Sequence, residues 1–228
     1  MKKIAIIGGT GDLGFGLALR WAKVGREIII GSRQEEKAVK AAQEIKSIVS
    51  DVRVEGKGNV EAAKEAQIIV LSVPFQFLVP TMRQIRDVLY EGDIIVSVIV
   101  PLAVEIGGFS PTQVVTPWQG SAAELIQSLA PPGVHVVSAF QNMSSYRLQD
   151  VDNPVDCDAI ISGNKSARRE VMELAELIPG VRGIDGGRLD YARLVEPITA
   201  LLIGLNIRYK NKEGIGIRFT YVNLNPEE

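Results

Sequence analysis

The sequence predicts an α/β fold: a mostly parallel, doubly wound sheet of about eight strands, with a small C-terminal helical part. Three observations carry this. Short apolar runs such as Ile4 to Ile7 recur along the chain, as expected of strands buried on both faces. Stretches with apolar residues three and four apart alternate with them, the pattern of crossover helices. After the first run the glycines fall as Gly9-x-Gly11-x-x-Gly14, the turn that opens a Rossmann-like dinucleotide domain.

A side chain at Gly9 would crowd that turn, one at Gly11 would hold a pyrophosphate off the backbone, and one at Gly14 would push the helix away from its strand. The helix is expected from Leu13, burying Leu17, Ala18 and Trp21. Its free amides around Gly11 to Leu13 then point at a diphosphate.

The second strand, Glu27 to Gly31, selects the dinucleotide. No acid stands at its end to hold a ribose 2′-hydroxyl. Ser32, Arg33 and Lys37 stand there instead, a hydroxyl and two cations suited to the 2′-phosphate of NADP. The alternative is that Arg33 and Lys37 are ordinary solvated charges beside Glu35 and Glu36.

Gln34 to Ile48 reads as the second helix, Val52 to Glu55 as a third strand, and Asn59 as the cap of a helix through Ala66. Ile68 to Val73 is the fourth strand. Its end, Ser72, Val73 and Pro74, lies at the carboxyl edge of the sheet, where ligands bind; these residues either wall adenine, ribose or nicotinamide or are a mere strand end. A helix over 75–90 and a strand Ile94 to Val98 follow, then a long loop, 103–119. Ser121 to Glu124 forms a capping box opening a helix to about Ala130.

The sixth strand, Val134 to Phe140, delivers Gln141 to Ser145 to the same edge. These polar residues suit a flat heterocycle, or they cap the next short helix. His135 begins that strand, away from the site. Strands Cys157 to Ser162 and Arg182 to Asp185 flank a helix over 166–178. A last helical region over 188–209 contains Pro197, which either kinks it or begins its second half. Its apolar stripe, Val195, Ile198, Leu202 and Leu205, is widened by Leu194, Leu201 and Ile207, a surplus that suits cover of a cleft or a dimer contact. Ile215 to Val222 reads as a final strand. Two parts result: 1–186 as the NADP-binding domain, and 187–228 as a cover for the second site and a dimer contact.

With 25 basic and 27 acidic residues in 228, no broad attraction to nucleic acid or acidic membranes is expected. The N-terminus enters a strand at once and no apolar run approaches the roughly 20 residues of a membrane span, so a cytoplasmic protein is expected. One cysteine, Cys157, and one histidine, His135, cannot supply a zinc set.

Each of the five tyrosines lacks a lysine four residues on, and no lysine falls between Lys165 and Lys210. The proton relays of short-chain and 3-hydroxyacid dehydrogenases are therefore absent. Such a reductase suits an acceptor that takes hydride into its own conjugated ring, with no catalytic side chain and no metal. Other readings are an NADP-dependent reductase of imines or of ferric or flavin acceptors, and a non-catalytic NADP-binding regulator.

Along its whole length the chain resembles the NADPH-dependent F420 reductases of archaea and some bacteria. The resemblance rests on IAIIGGTGDLGFGLALRWA, IIIGSRQEEKA, WQGSAAE, AFQNMS, PVDCDAIISG and LIGLNIRYKNKEGIGIRF. It implies a Rossmann domain with a small C-terminal part forming the deazaflavin cleft, a homodimer, and direct hydride transfer between C5 of coenzyme F420 and C4 of NADP. It also implies that Thr10, Gly11, Asp12 and Leu13 hold the pyrophosphate, that Ser32, Arg33 and Lys37 hold the 2′-phosphate, and that Val73, Val100 and Met143 line the nicotinamide half. Some members carry His-Thr-Ile-Pro where this chain has Gln141-Asn142-Met143-Ser144. The asparagine version resembles the methanogen branch, and backbone amides or the Asn142 amide are expected to meet the charge change in the deazaflavin.

Overall fold

The computed structural model describes residues 2–223. Eight strands form one sheet in the order β3-β2-β1-β4-β5-β6-β7-β8: β1 (Ile4–Ile7), β2 (Ile28–Ser32), β3 (Val54–Gly58), β4 (Ile68–Leu71), β5 (Ile94–Ser97), β6 (His135–Ser138), β7 (Cys157–Gly163) and β8 (Val181–Asp185). Every neighbouring pair is parallel except β6 and β7. The reversal of chain direction past β4 and β1 creates the crevice expected of a doubly wound sheet.

Alternate strand residues feed two cores, as the two-residue period requires. Ile4, Ile6, Ile28 and Ile30 face α1 (Asp12–Lys23), α2 (Glu35–Ile48) and, further along, α7 (Lys165–Glu176). Ala5, Ile7, Ile69 and Ile95 face α3 (Asn59–Glu65), α4 (Leu78–Ile85) and α5 (Ala122–Leu129). Trp21 anchors the first core. Its indole nitrogen donates to the Leu174 carbonyl at 2.9 Å, and its ring meets Phe140 edge-on, centroids 5.6 Å apart. The remaining helices are α6 (Ser145–Gln149), α8 (Ala192–Val195) and α9 (Ile198–Tyr209).

Four expectations are corrected. Asn59 does not cap α3: Gly58 holds the cap position, and the buried Asn59 side chain is turned toward Gln84, its amide 3.4 Å from that oxygen. The helix over 75–90 is α4 flanked by 3-10 turns at Phe75–Phe77 and Arg86–Val88. Strand β6 stops at Ser138, because Phe140 adopts a left-handed φ of 67° that turns the chain. Ile215 to Val222 is no strand. The tail runs past the start of β7, fixed chiefly by the side chain of Asp158, which accepts from the Phe219 amide and from Arg182 and Arg218. Burial pushes that carboxyl up, but Arg182, the Phe219 amide and Arg218 outweigh it and hold it below the ordinary aspartate value.

Pro197 begins the second half of the C-terminal helical region, standing at the cap of α9. The apolar surplus is divided. Val195, Ala200 and Leu202 are buried, whereas Leu194, Leu201 and Ile207 are exposed.

Candidate active site

A cavity of about 560 Å³ opens where β1, β2 and β4 end. Thr10, Gly11, Ser32, Arg33, Lys37, Ser72, Val73 and Pro74 line it, which brings together most residues expected to hold a dinucleotide. Gly9 and Gly14 lie buried beneath the turn. A Cβ on Gly9 would stand 2.8 Å from the Ile6 carbonyl oxygen, and one on Gly14 only 3.0 Å from Gly9 Cα. Helix α1 therefore packs so close to the turn after β1 that a side chain at Gly14 would push its neighbours aside. Asp12 opens α1 at the surface and Leu13 packs partly into the core, so these two can face a phosphate only through their backbone.

Gly8 was not singled out from the sequence, yet it carries the strongest backbone demand of this turn. Its φ is 82°, and a Cβ there would lie 2.4 Å from the Ser72 carbonyl oxygen. Gln34, Asn59, Phe77 and Thr81 also line the cavity. Only the tertiary fold brings Phe77 and Thr81 to β2. Ser32 also serves its own turn, since its hydroxyl accepts from the Gln34 amide at 3.2 Å. Arg33 and Lys37 are exposed and have no carboxylate partner among the described residues, although Glu35 and Glu36 are adjacent in sequence.

A second cavity, of about 280 Å³, lies beyond β6 between Gln141 to Tyr146 and α9, with Met143, Thr199, Leu202 and Asn206 in its wall. The left-handed Phe140 turns the chain into this segment and is itself fully buried against Trp21. Such backbone costs about 1–3 kcal/mol and persists only where packing fixes it.

Three expectations need revision here. Asn142 is 2% exposed, and its amide donates inward to the Asp158 carbonyl at 2.7 Å and to Cys157 Sγ at 3.3 Å. It builds the wall rather than offering its NH₂ to a ring. Gln141 likewise donates inward, to the Ser97 carbonyl and Ser138 hydroxyl. Val100 is buried after β5 and lines neither cavity, and Met143, expected with it at the nicotinamide half, lines the second cavity and not the first. Ser144 caps α6, accepting from the Arg147 amide at 3.3 Å.

The two cavities are braced against each other. Arg20, buried on α1, donates to the carbonyls of Arg147, Leu148 and Asn153 at 2.7–2.9 Å. Gln149 of α6 reaches back to the Asp12 carbonyl at 3.0 Å.

Glu196 is a further feature that sequence patterning hides, because it interrupts an apolar stripe only once. Its carboxylate is 1% exposed and accepts the Ala122 and Ala123 amides at the start of α5. Burial is the main cause that pushes it up to about 7, with Glu124 adding to the rise and the two amides opposing it. Three residues on, the Thr199 hydroxyl donates to the Gln141 carbonyl at 2.9 Å.

A family model for coenzyme F420-dependent NADP oxidoreductases matches residues 3–101. The F420-dependent NADP reductase of Methanocaldococcus jannaschii is 49% identical over 97% of this chain and 100% of its own length. The chain belongs to the F420-dependent NADP reductase family. The Methanothermobacter marburgensis reductase of that name agrees at 45% identity over 96% of this chain and 98% of its own. Among solved structures, one from Arthrobacter, provisionally assigned as an F420-dependent NADP reductase, superposes with a TM-score of 0.75 at 26% identity, covering 92% of this chain and 96% of that one. A reductive aminase from Aspergillus terreus reaches 0.64 at 14% identity over 92% and 63% of the two chains. That likeness reflects the shared fold. The segment of this chain that the family model matches, 3–101, contains the whole wall of the first cavity, which runs from Gly8 to Thr81.

Proposed function

We propose that this chain exchanges hydride between NADP(H) and coenzyme F420, with NADP in the first cavity and the deazaflavin in the second. The names of its full-length relatives supply the reaction. The observation that carries the placement is the pair of cations, Arg33 and Lys37, beside a glycine turn that no Cβ obstructs. The nearest neighbour of a Cβ on Gly11 would be the Gly8 carbonyl at 3.4 Å, an ordinary contact, so the residue leaves the cavity side open. Backbone amides of Gly11 to Leu13 receive the pyrophosphate. Ser32, Arg33 and Lys37 receive the 2′-phosphate, and Ser72, Val73 and Pro74 wall the dinucleotide. Met143 and Thr199 border the acceptor cavity. With both molecules bound, the chemistry is direct hydride transfer between C4 of the nicotinamide and C5 of the deazaflavin. The residues of the chain bind, orient and exclude water, and none is assigned a proton.

The segment 187–228 covers the acceptor cavity and joins two copies, its last five residues lying outside the described ones. Leu194, Leu201, Ile207 and Tyr209 are the exposed large apolar side chains of this segment, surface of the kind a homodimer contact would bury. Among the described residues no helix is long and apolar enough to cross a membrane, in keeping with work on diffusible cofactors in the cytoplasm.

Mixing the protein with reduced F420 and NADP and following deazaflavin absorbance tests the reaction. Hydride transfer to a small imine but not to F420 would replace it.

A further inference from the structure

Arg33 lays its guanidinium over the ring of Phe77, with Cζ 4.2 Å from the ring centroid. The two residues come from separate loops, one after β2 and one after β4, and both line the first cavity. Phe77 is the fixed member. It is half-buried, its amide donates to the Pro74 carbonyl at 2.8 Å, and the next residue, Leu78, is fully buried. The Glu105 carboxylate accepts the Phe75 amide and holds the start of the same turn. Arg33 is the free member, exposed and without an ion pair among the described residues.

We infer that Phe77 is a positioning residue for NADP selection, holding the Arg33 guanidinium where it can receive the 2′-phosphate. This rests on the reading of the first cavity as the NADP site. A ring attracts the face of a guanidinium through its quadrupole. The five N–H donors lie in the guanidinium plane, so stacking leaves them available to an anion. Lys37, a point charge on a flexible stem, has no such partner and supplies charge without direction. Selection of NADP over NAD is therefore shared between a charge and the aromatic surface that aims it.

The test is titration of NADP and of NAD into wild type, F77L, F77Y, R33A and the double variant R33A/F77L, with folding checked by circular dichroism. Leucine keeps apolar bulk and removes the ring; tyrosine keeps the ring. F77L should weaken NADP about two- to fivefold, the range of an exposed cation–ring contact, and leave NAD unchanged. F77Y should bind as wild type, and F77L should add nothing in the R33A background. Equal loss of NADP and NAD affinity, an undiminished F77L effect in the R33A background, or wild-type affinity for NADP in F77L would each overturn the inference. The NADP-to-NAD ratio guards against a general loss of fold, which would lower both. If R33A itself binds NADP as wild type does, the 2′-phosphate assignment fails first, and the role of Phe77 falls with it.

Discussion

The carboxylate of Glu196 accepts the amide hydrogen of Ala122 at 2.9 Å, across 74 residues of chain. Its other oxygen takes the Ala123 amide at 3.0 Å, so one side chain satisfies two of the open donors at the start of α5. Ser121 takes a third, that of Glu124, at 3.1 Å. Arg193 in turn grips the Glu124 carboxylate through two nitrogens. The start of α5 thus hangs on a carboxyl just before α9, whose pKa burial pushes up to about 7.

Stability should respond to pH through Glu196. Its ordinary value is 4.5 and its folded value about 7, so between them the folded chain holds a proton that the unfolded chain lacks. The resulting stabilisation is complete below pH 4.5, declines as pH rises to 7, and is flat above that. Its full size is on the order of 3 kcal/mol. Denaturant melts of wild type and E196Q across this window should show the wild type losing stability relative to the variant as pH rises. A pH-independent difference would refute the assignment.

Arg33→Ala should raise KM for NADP roughly ten- to a hundredfold, the loss of about 1.5–3 kcal/mol of charge-assisted bonding, with little change in kcat. Use of NAD should scarcely alter. Steady-state kinetics with both dinucleotides decide it, and unchanged NADP kinetics would remove Arg33 from the site.

Two glycines of one turn should fail differently. Gly8→Ala meets both a left-handed φ and the Ser72 carbonyl, and should destabilise the fold by about 3 kcal/mol or more. Gly11→Val has room to fold but projects into the cavity, and should abolish binding of both nicotinamide cofactors. Thermal melts and cofactor titrations on the two variants separate these outcomes; a stable G8A or a cofactor-binding G11V would contradict the geometry.

His135→Gln should leave single-turnover hydride transfer intact, because His135 begins β6, paired with Ile94 at the end of the sheet away from the cavities. Asn142→Ala should cost about 1–3 kcal/mol of stability by releasing the Asp158 carbonyl, with any rate loss following from a displaced wall. A large rate defect in H135Q, with N142A as stable and fast as wild type, would sink the placement of both.

The sheet and the first cavity were legible because their signals are local. Apolar runs marked β1, β2 and β4, the glycine spacing marked the turn between β1 and α1, and Ser32, Arg33 and Lys37 follow directly from a strand end. Asn142 misled because a polar residue at a strand end has the same composition whether it faces a ligand or donates to Asp158 behind it. Phe77 and Glu196 were illegible for the opposite reason. Each acts on a residue far away in sequence, and nothing in the windows around them reports Arg33 or Ala122. The tail over 215–222 alternates like a strand, but Asp158 offers it side-chain oxygens where a neighbouring strand would offer a ladder.

The antiparallel entry of β7 has a consequence for redesign. Ser138 pairs with Ser162 near the far end of β7, so the start of that strand, Cys157 and Asp158, overhangs the edge of the parallel sheet beside Asn142. The second cavity is assembled from residues 141–215 alone, while the first uses only 8–81. With NADP in the first cavity and the deazaflavin in the second, as proposed, the two specificities would occupy consecutive, non-overlapping stretches of gene. A chimera joined within β6 would exchange one hydride partner and keep the other, provided the incoming half still presents the Arg147, Leu148 and Asn153 carbonyls that Arg20 grips from the opposite half.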